Sequence, residues 1–167
     1  MKISELLISE FDEEAKMTRA ILERVPIKAD FKPHQKSMAL GKLAPHVAEL
    51  PNFGHTILTT PEFDFGTSGP RQRPAFESPA QLVRDFDAGA AKLRDALKQV
   101  PEEAWTQPWK LGFNGKAIFS GSKFLAYRQM FLNHLVHHRA QLGVYLRLND
   151  VPLPGTYGPS ADDTMGF

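Results

Sequence analysis

Four segments of this chain carry apolar residues at helical spacing, and proline and glycine are frequent in the stretches between them. The segments cover residues 3–25, about 37–57, 78–100 and about 122–148. An amphipathic helix has to bury its apolar stripe against another element, so four such segments restrict the chain to a mainly helical architecture. No internal repeat relates the four patterns to one another.

Proline marks where the second and third segments begin, end or bend. Ser78 to Gln81 form a capping box with proline at the first helical position, and Pro101 closes that third segment. Pro45 and Pro51 lie inside the second segment, where each removes one backbone hydrogen bond. We therefore expect the second helix to be kinked or interrupted.

The fourth segment is apolar around much of its circumference. A helix of that kind needs a cover on its second side, either a packed loop or a partner subunit.

The connection of residues 59–77 has no helical pattern, and long loops are usually functional or mobile, so it could cover a site. Asn114 and Gly115 lie between two short apolar runs over residues 109–119 and could close a short hairpin.

Composition limits the size of the protein and the partners it can have. A chain of 167 residues fits a single domain over residues 1–167. Lys and Arg total 20 against 19 Asp and Glu, which gives no electrostatic case for nucleic acid or an anionic membrane. There is no cysteine, and the N-terminus shows neither a signal sequence nor a membrane span, so we expect a soluble cytoplasmic protein whose chemistry depends on histidine and carboxylate.

Two histidines in the fourth segment are spaced as metal ligands. His134 and His138 are four residues apart, so they are neighbours on one helix face. His46 in the second segment is the natural third ligand, and three protein nitrogens with an open position are typical of a catalytic site. His137 falls about 60° outside the apolar sector. A surface or subunit contact explains His137 better. His34 precedes the second helix in a loop that could approach the site, and solvation explains it better.

A purely structural explanation of these histidines remains open. A single histidine on an apolar stripe is more often a core residue with satisfied hydrogen bonds than a ligand, and this applies to His46 by itself. The pair in the fourth segment is stronger evidence, because two buried imidazoles without partners would cost ~1–3 kcal/mol each.

Missing acidic residues exclude two familiar classes of metal enzyme. A zinc protease of the HExxH type needs glutamate directly after the first histidine, and Leu135 occupies that position. A di-iron bundle needs inward carboxylates, and no Asp or Glu occurs between Ser122 and Asn149. A single metal held mainly by nitrogen remains, and imidazole suits Zn, Ni, Cu and Fe alike. Glu49 could orient His46 or act as a base, or it could be a solvated helix residue.

With these histidines placed, the sequence resembles the DinB/YfiT-like family of metal-dependent four-helix-bundle proteins over nearly the whole chain. The matching stretches are residues 43–47 (LAPHV), 133–142 (NHLVHHRAQL) and 151–162 (VPLPGTYGPSAD). The resemblance implies an all-α four-helix bundle with long loops between helices 2 and 3 and between helices 3 and 4. It also implies a metal, often nickel or zinc, bound by His46, His134 and His138 with water in the remaining positions, and a homodimer packed through helices.

The resemblance leaves the reaction open, because fold does not settle function. Some relatives are transferases that add low-molecular-weight thiols to electrophiles, and others are thiol-dependent isomerases. Our first hypothesis is a metal-dependent transferase or hydrolase that acts on a small electrophilic substrate, with a small thiol as a possible cosubstrate. The alternative is a non-catalytic, metal-binding or stress-associated bundle. A third hypothesis is an interaction module that binds no metal and pairs through its fourth helix.

Overall fold

The structure is a computed structural model that describes residues 2–67 and 76–166. Three long helices come first, namely α1 (Ile3–Leu22), α2 (Leu40–Thr59) and α3 (Pro79–Gln99). A fourth helical rod follows without a break in three parts, namely α4 (Lys123–Ala126), a π-helical segment (Tyr127–Leu132) and α5 (Asn133–Arg147). The four predicted helices are therefore present.

The apolar faces of the four helical rods meet in one core. α2 packs against α3 and α5, and α1 packs against α3 and α5. The largest fully buried side chains of the helices are Phe11, Leu22, Leu40, Leu43, Ile57, Leu82, Phe86, Leu93, Tyr127 and Phe131. Burial of one such apolar side chain stabilises the fold by about 1.5–3 kcal/mol, so this shared core holds the rods together.

The second helix was predicted to be kinked or interrupted, and the interruption is wrong. α2 runs as one helix from Leu40 to Thr59 and contains both Pro45 and Pro51. Each proline removes one backbone hydrogen bond, but both rings are buried in the core. Packing on the apolar face contributes more to helix stability than a single backbone bond, and α2 therefore continues through both positions.

The capping signal at the start of α3 is confirmed in part. The Ser78 hydroxyl accepts a hydrogen bond from the Gln81 backbone N–H over 3.2 Å, as an N-cap residue should. The Gln81 side chain accepts from the Glu77 backbone N–H over 3.3 Å, one residue before the position expected in a capping box. The helix start is thus fixed by both side chains.

A small sheet makes the strict all-α prediction wrong. Its strands are β1 (Glu62–Asp64), β2 (Pro108–Phe113) and β3 (Lys116–Ser122), with β1 parallel and β3 antiparallel to the central β2. The predicted hairpin is confirmed, because Asn114 and Gly115 have φ of 49° and 79° and connect β2 to β3. β1 has only three residues and depends on distant β2 for pairing, so no local pattern indicated it.

Aromatic residues in and directly after β1 pack onto α2. Phe63 in the strand and Phe65 just beyond its end have ring centroids 6.2 and 6.0 Å from that of Phe53. The first part of the connection between α2 and α3 is therefore packed against α2. The suggestion that this connection covers a site falls in part on residues 68–75, which lie outside the described residues, and it stays a prediction.

The C-terminal segment, residues 148–166, runs back along α5. It therefore provides part of the packed cover that was predicted for the second apolar side of the fourth helix. Between α5 and this C-terminal segment lies a groove of about 500 Å³, lined by residues that include Val136, Gly143, Val144, Leu153 and Pro154. The homodimer expected from the resemblance stays a prediction. In the described part of the chain, every helix is too short or too polar to cross a membrane.

Candidate metal centre

The structure brings together His46 of α2 and His134 and His138 of α5. One ring nitrogen from each of the three lies within 4.8 Å of the others. The Nε2 atoms of His46 and His134 are 3.3 Å apart. All three residues are half-buried, so they lie between the two helices but within reach of solvent.

This spacing suits a bound metal. Two nitrogens held by one tetrahedral Zn²⁺ at about 2.0–2.1 Å lie roughly 3.3–3.4 Å apart. The observed separation of 3.3 Å between the His46 and His134 Nε2 atoms matches that value. The ring centroid of His138 lies 4.6 Å from that of His46 and 4.5 Å from that of His134, so the third imidazole borders the same space. The residues present therefore fit a single divalent ion.

Helical geometry accounts for the two ligand candidates on α5. His134 and His138 lie one turn apart, and Leu135 and Leu142 beside them are fully buried, so packing of α5 orients the pair toward the bundle. His46 has buried Leu43 and Leu50 one turn away on either side along α2. The three imidazoles meet because α2 and α5 pack against each other through these stripes.

Hydrogen bonds at Nδ1 fix the tautomers of both α5 histidines. The Nδ1 atom of His134 lies 3.2 Å from the Met130 carbonyl oxygen, which can only accept, so Nδ1 carries the proton. His138 Nδ1 donates in the same way to the Gln141 side-chain oxygen over 2.7 Å. In both residues the lone pair is left on Nε2, the atom available to a metal. Such outer partners orient histidine ligands and increase their basicity.

Burial keeps the α5 imidazoles uncharged. It lowers the pKa of His134 below the ordinary 6.5, against the opposing effect of the bond to Met130. It also lowers the pKa of His138, where the bond to Gln141 opposes the shift and the neighbouring His134 and His137 add to it. Neutral imidazole is the form that binds metals, so both residues are in their binding form at pH 7.

The other histidines and Glu49 lie outside the group of three. His137 is exposed, as predicted, and its ring centroid lies 4.9 Å from that of His138. His34 is exposed in the connection before α2. Glu49 is half-buried one turn after His46 but does not belong to the group of candidate ligands that the described residues form. Its suggested role in orienting His46 or moving a proton stays a prediction.

Met130 and Gln141 are hydrogen-bond partners of the clustered histidines that sequence reasoning missed. Gln141 follows His138 by three residues, and Met130 precedes His134 by four, so helical spacing alone could have indicated both contacts. Met130 also lies in the π-helical segment directly before α5. Short π-helical turns are frequent at functional sites, but no sequence pattern considered for the fourth helix distinguished this turn from α-helix.

Known proteins with this fold support the same architecture. The chain is similar to a DinB-like protein from Bacillus cereus ATCC 10987, with a TM-score of 0.67 and 17% identity over 93% of this chain and 98% of that one. A DinB-like protein from Bacillus subtilis, YjoA, has a TM-score of 0.63 and 19% identity over 87% of this chain and 92% of its own. At these identities the likeness shows the fold.

Two sequence comparisons extend this result. The YrdA protein of Bacillus subtilis strain 168 is 26% identical over 117 residues, which is 68% of each chain. The model of the DinB family matches residues 1–165, a range that contains all three clustered histidines. Because that match covers nearly the whole sequence, the chain belongs to the DinB family.

Proposed function

We propose that the three histidines bind one divalent transition metal, nickel or zinc, and that the protein uses it to activate a small thiol against an electrophilic substrate. One observation carries the proposal. Three ring nitrogens lie within 4.8 Å of one another, and both α5 imidazoles hold their Nδ1 protons on other acceptors. The donor set is therefore preorganised rather than assembled by chance at the surface.

The charge of the donor set suits activation of an anionic nucleophile. A divalent ion held by three imidazoles lowers the pKa of a thiol or water at its open position. His134 and His138 are neutral at pH 7, so they leave the charge of the ion largely uncompensated. The chain contains no cysteine, and the thiol would therefore be supplied from solution. With water in place of thiol the same site would act as a hydrolase.

Metal analysis followed by an activity assay tests this proposal. The protein is purified without a histidine tag and loaded with Zn²⁺ or Ni²⁺, and turnover of a chromogenic electrophile is measured with a panel of small thiols. We expect about one metal per chain and turnover that requires both metal and thiol. Metal-free protein is the matched control. Bound metal without turnover by any thiol or by water would contradict the catalytic part of the proposal.

A second candidate is a metal-binding bundle without catalysis. The position of the three histidines between α2 and α5 favours it, because one ion would join the two helices. The assay above separates the candidates, since both require the metal and only the first requires turnover. Absence of stoichiometric metal binding would overturn both and would leave the interaction module. The homodimer and the cytoplasmic location remain predictions under every candidate.

A further inference from the structure

A buried ionic network joins α5 to α1, on a different face of α5 from the clustered histidines. Arg139 follows His138 directly in sequence and is only 4% exposed. Its guanidinium is 2.7 Å from the carboxylate of Glu14 on α1, which is 8% exposed. The same guanidinium nitrogen donates to the Glu14 carbonyl oxygen over 3.1 Å and to the Thr18 hydroxyl over 3.3 Å. One side chain thus connects α5 to both the backbone and the side chains of α1.

The C-terminal segment completes this network. The hydroxyl of Tyr157 accepts from the second terminal guanidinium nitrogen of Arg139 over 2.6 Å. It donates to the Glu14 carboxylate, whose oxygens lie 2.8 and 2.9 Å away. Tyr157 as a whole is 67% exposed, but its ring also contacts the network, because the Arg139 guanidinium carbon lies 5.3 Å from the ring centroid. We call Glu14, Thr18, Arg139 and Tyr157 the Arg139 network.

A contribution to the folding stability of the protein does not explain well why the Arg139 network contains a buried ion pair. Removing a carboxylate and a guanidinium from water is unfavourable, and apolar side chains of similar size often stabilise such a position equally or better. A buried ion pair does favour one arrangement over its alternatives, because any other arrangement leaves a buried charge without its partner. The network therefore restricts how α5 can rotate against α1.

Rotation of α5 matters directly to the candidate metal centre. His138 and Arg139 are consecutive, so their side chains leave the helix about 100° apart and turn together. A rotation of about 20° would move a side-chain atom about 6 Å from the helix axis by about 2 Å, which is a whole metal–nitrogen bond length. Metal sites need their ligands within about 0.5 Å of the productive geometry.

We propose that the Arg139 network positions the metal centre, with Arg139 as the positioning residue that fixes the rotation of α5 and with Tyr157 as its anchor in the C-terminal segment. This inference rests on metal binding by the three histidines, as proposed above. The C-terminal segment is then part of the support of the metal centre, although it contributes no ligand candidate among the described residues.

Variants that remove the network without leaving a single buried charge test this role. Glu14→Leu combined with Arg139→Met removes both charges, and Tyr157→Phe removes only the hydroxyl. Tyr127→Phe is the matched control, because the Tyr127 hydroxyl is buried in the fourth rod and has no hydrogen-bond partner in the described part of the chain. Zn²⁺ affinity is measured by competition with a chromophoric chelator, and ligand geometry by the visible spectrum of bound Co²⁺.

We expect the double variant to bind Zn²⁺ about 10–100-fold more weakly, the range seen when outer partners of metal ligands are removed, with an altered Co²⁺ spectrum. Tyr157→Phe should shift both readouts in the same direction by less, and Tyr127→Phe should match the wild type. A merely structural role would lower the melting temperature of the metal-free protein without changing the Co²⁺ spectrum, and that result would overturn the proposal.

The outcomes separate this inference from the proposed function. Wild-type affinity and spectrum in folded Tyr157→Phe and double variants would overturn the positioning role and leave the metal site intact. Failure of the wild type and of Tyr127→Phe to bind Zn²⁺ would overturn the metal site, and this inference with it. If the double variant does not fold, the Zn²⁺ affinity and Co²⁺ spectrum of Tyr157→Phe test the positioning role, because this variant keeps the ion pair between Glu14 and Arg139.

Discussion

Gln141 accepts a hydrogen bond from His138 over 2.7 Å between its side-chain oxygen and Nδ1. The bond lies within one turn of α5, yet it determines which ring nitrogen His138 presents to α2. His134 obtains the same result from a backbone carbonyl, that of Met130. The two α5 imidazoles therefore present equivalent atoms through different acceptors, and only the acceptor of His138 can be changed by substitution.

Replacement of Gln141 by leucine should weaken metal binding by about 10–100-fold, because His138 loses the acceptor that holds its tautomer. Gln141→Glu keeps an acceptor at the same position and should bind at least as well as the wild type. Competition with a chromophoric chelator measures both affinities. Equal affinities in the leucine variant and the wild type would show that the bond does not support the site.

Loss of any one clustered histidine should abolish stoichiometric metal binding. Two imidazoles hold a divalent ion far more weakly than three, so we expect this for His46→Ala, His134→Ala and His138→Ala. His137→Ala is the control, since His137 is exposed and outside the cluster. Elemental analysis of tag-free protein provides the measurement. Full metal content in both α5 variants would refute the assignment.

The metal-free protein should lose stability as the pH falls below 6.5. Burial lowers the pKa of His134 and His138 in the folded chain, whereas both have ordinary pKa values near 6.5 once unfolded. Below 6.5 the unfolded state therefore binds more protons, and the free energy of unfolding decreases until the folded-state pKa values are passed. Urea titrations between pH 8 and pH 5 measure this slope.

A double variant provides the control for that pH dependence. His134→Gln combined with His138→Gln removes both titrating groups and keeps polar side chains at the two positions. Its free energy of unfolding should change less between pH 7 and pH 5 than that of the wild type. An identical pH dependence in the two proteins would mean that other groups cause the decrease.

Asp64→Ala should loosen the turn between β2 and β3. The Asp64 carboxylate accepts from the backbone N–H groups of Gly66, Asn114 and Gly115 over 2.7 to 2.9 Å. These bonds, of which that from Gly115 has the largest effect, hold the pKa of Asp64 below its usual 3.8. The carboxylate therefore stabilises the turn above pH 3.8, and this stabilisation is lost as the pH falls through the folded-state pKa.

Amide hydrogen exchange at neutral pH measures this effect. Asp64→Ala should accelerate exchange at Asn114 and Gly115. Glu62→Ala, a change at an exposed position of the same strand, should leave exchange at the two turn amides unchanged. Unchanged protection in Asp64→Ala would show that the turn holds its amides without the carboxylate.

Two helix glycines should respond in opposite directions to alanine. A methyl group at Gly54 would lie 2.9 Å from Phe131 and 3.0 Å from Leu93, so Gly54→Ala should cost about 1–3 kcal/mol by overpacking. At Gly143 a methyl group would meet no atom of the described residues within 4 Å. Gly143→Ala should therefore stabilise α5 by about 0.5–1 kcal/mol. Chemical denaturation measures both, and effects of equal sign would contradict the packing explanation.

Local signals in the sequence predicted most of the helical framework. The Asn114-Gly115 turn was predicted because both residues tolerate positive φ, and α3 begins at the predicted cap. The failures have nonlocal causes. β1 pairs with a strand from a distant part of the chain, and the continuity of α2 through Pro45 and Pro51 depends on burial of both rings by the rest of the core. Local propensity contains neither effect.

The sequence by itself determined where the helical rods run and that His134 and His138 share one face, because helical periodicity needs only neighbouring residues. Only the tertiary structure decided that His46 comes within 3.3 Å of His134. It also decided that Arg139 and Glu14 meet as a buried ion pair and that the hydroxyl of Tyr157 joins them. These contacts join residues far apart in the chain, so they exist only once the apolar faces of α1, α2 and α5 have packed into a shared core.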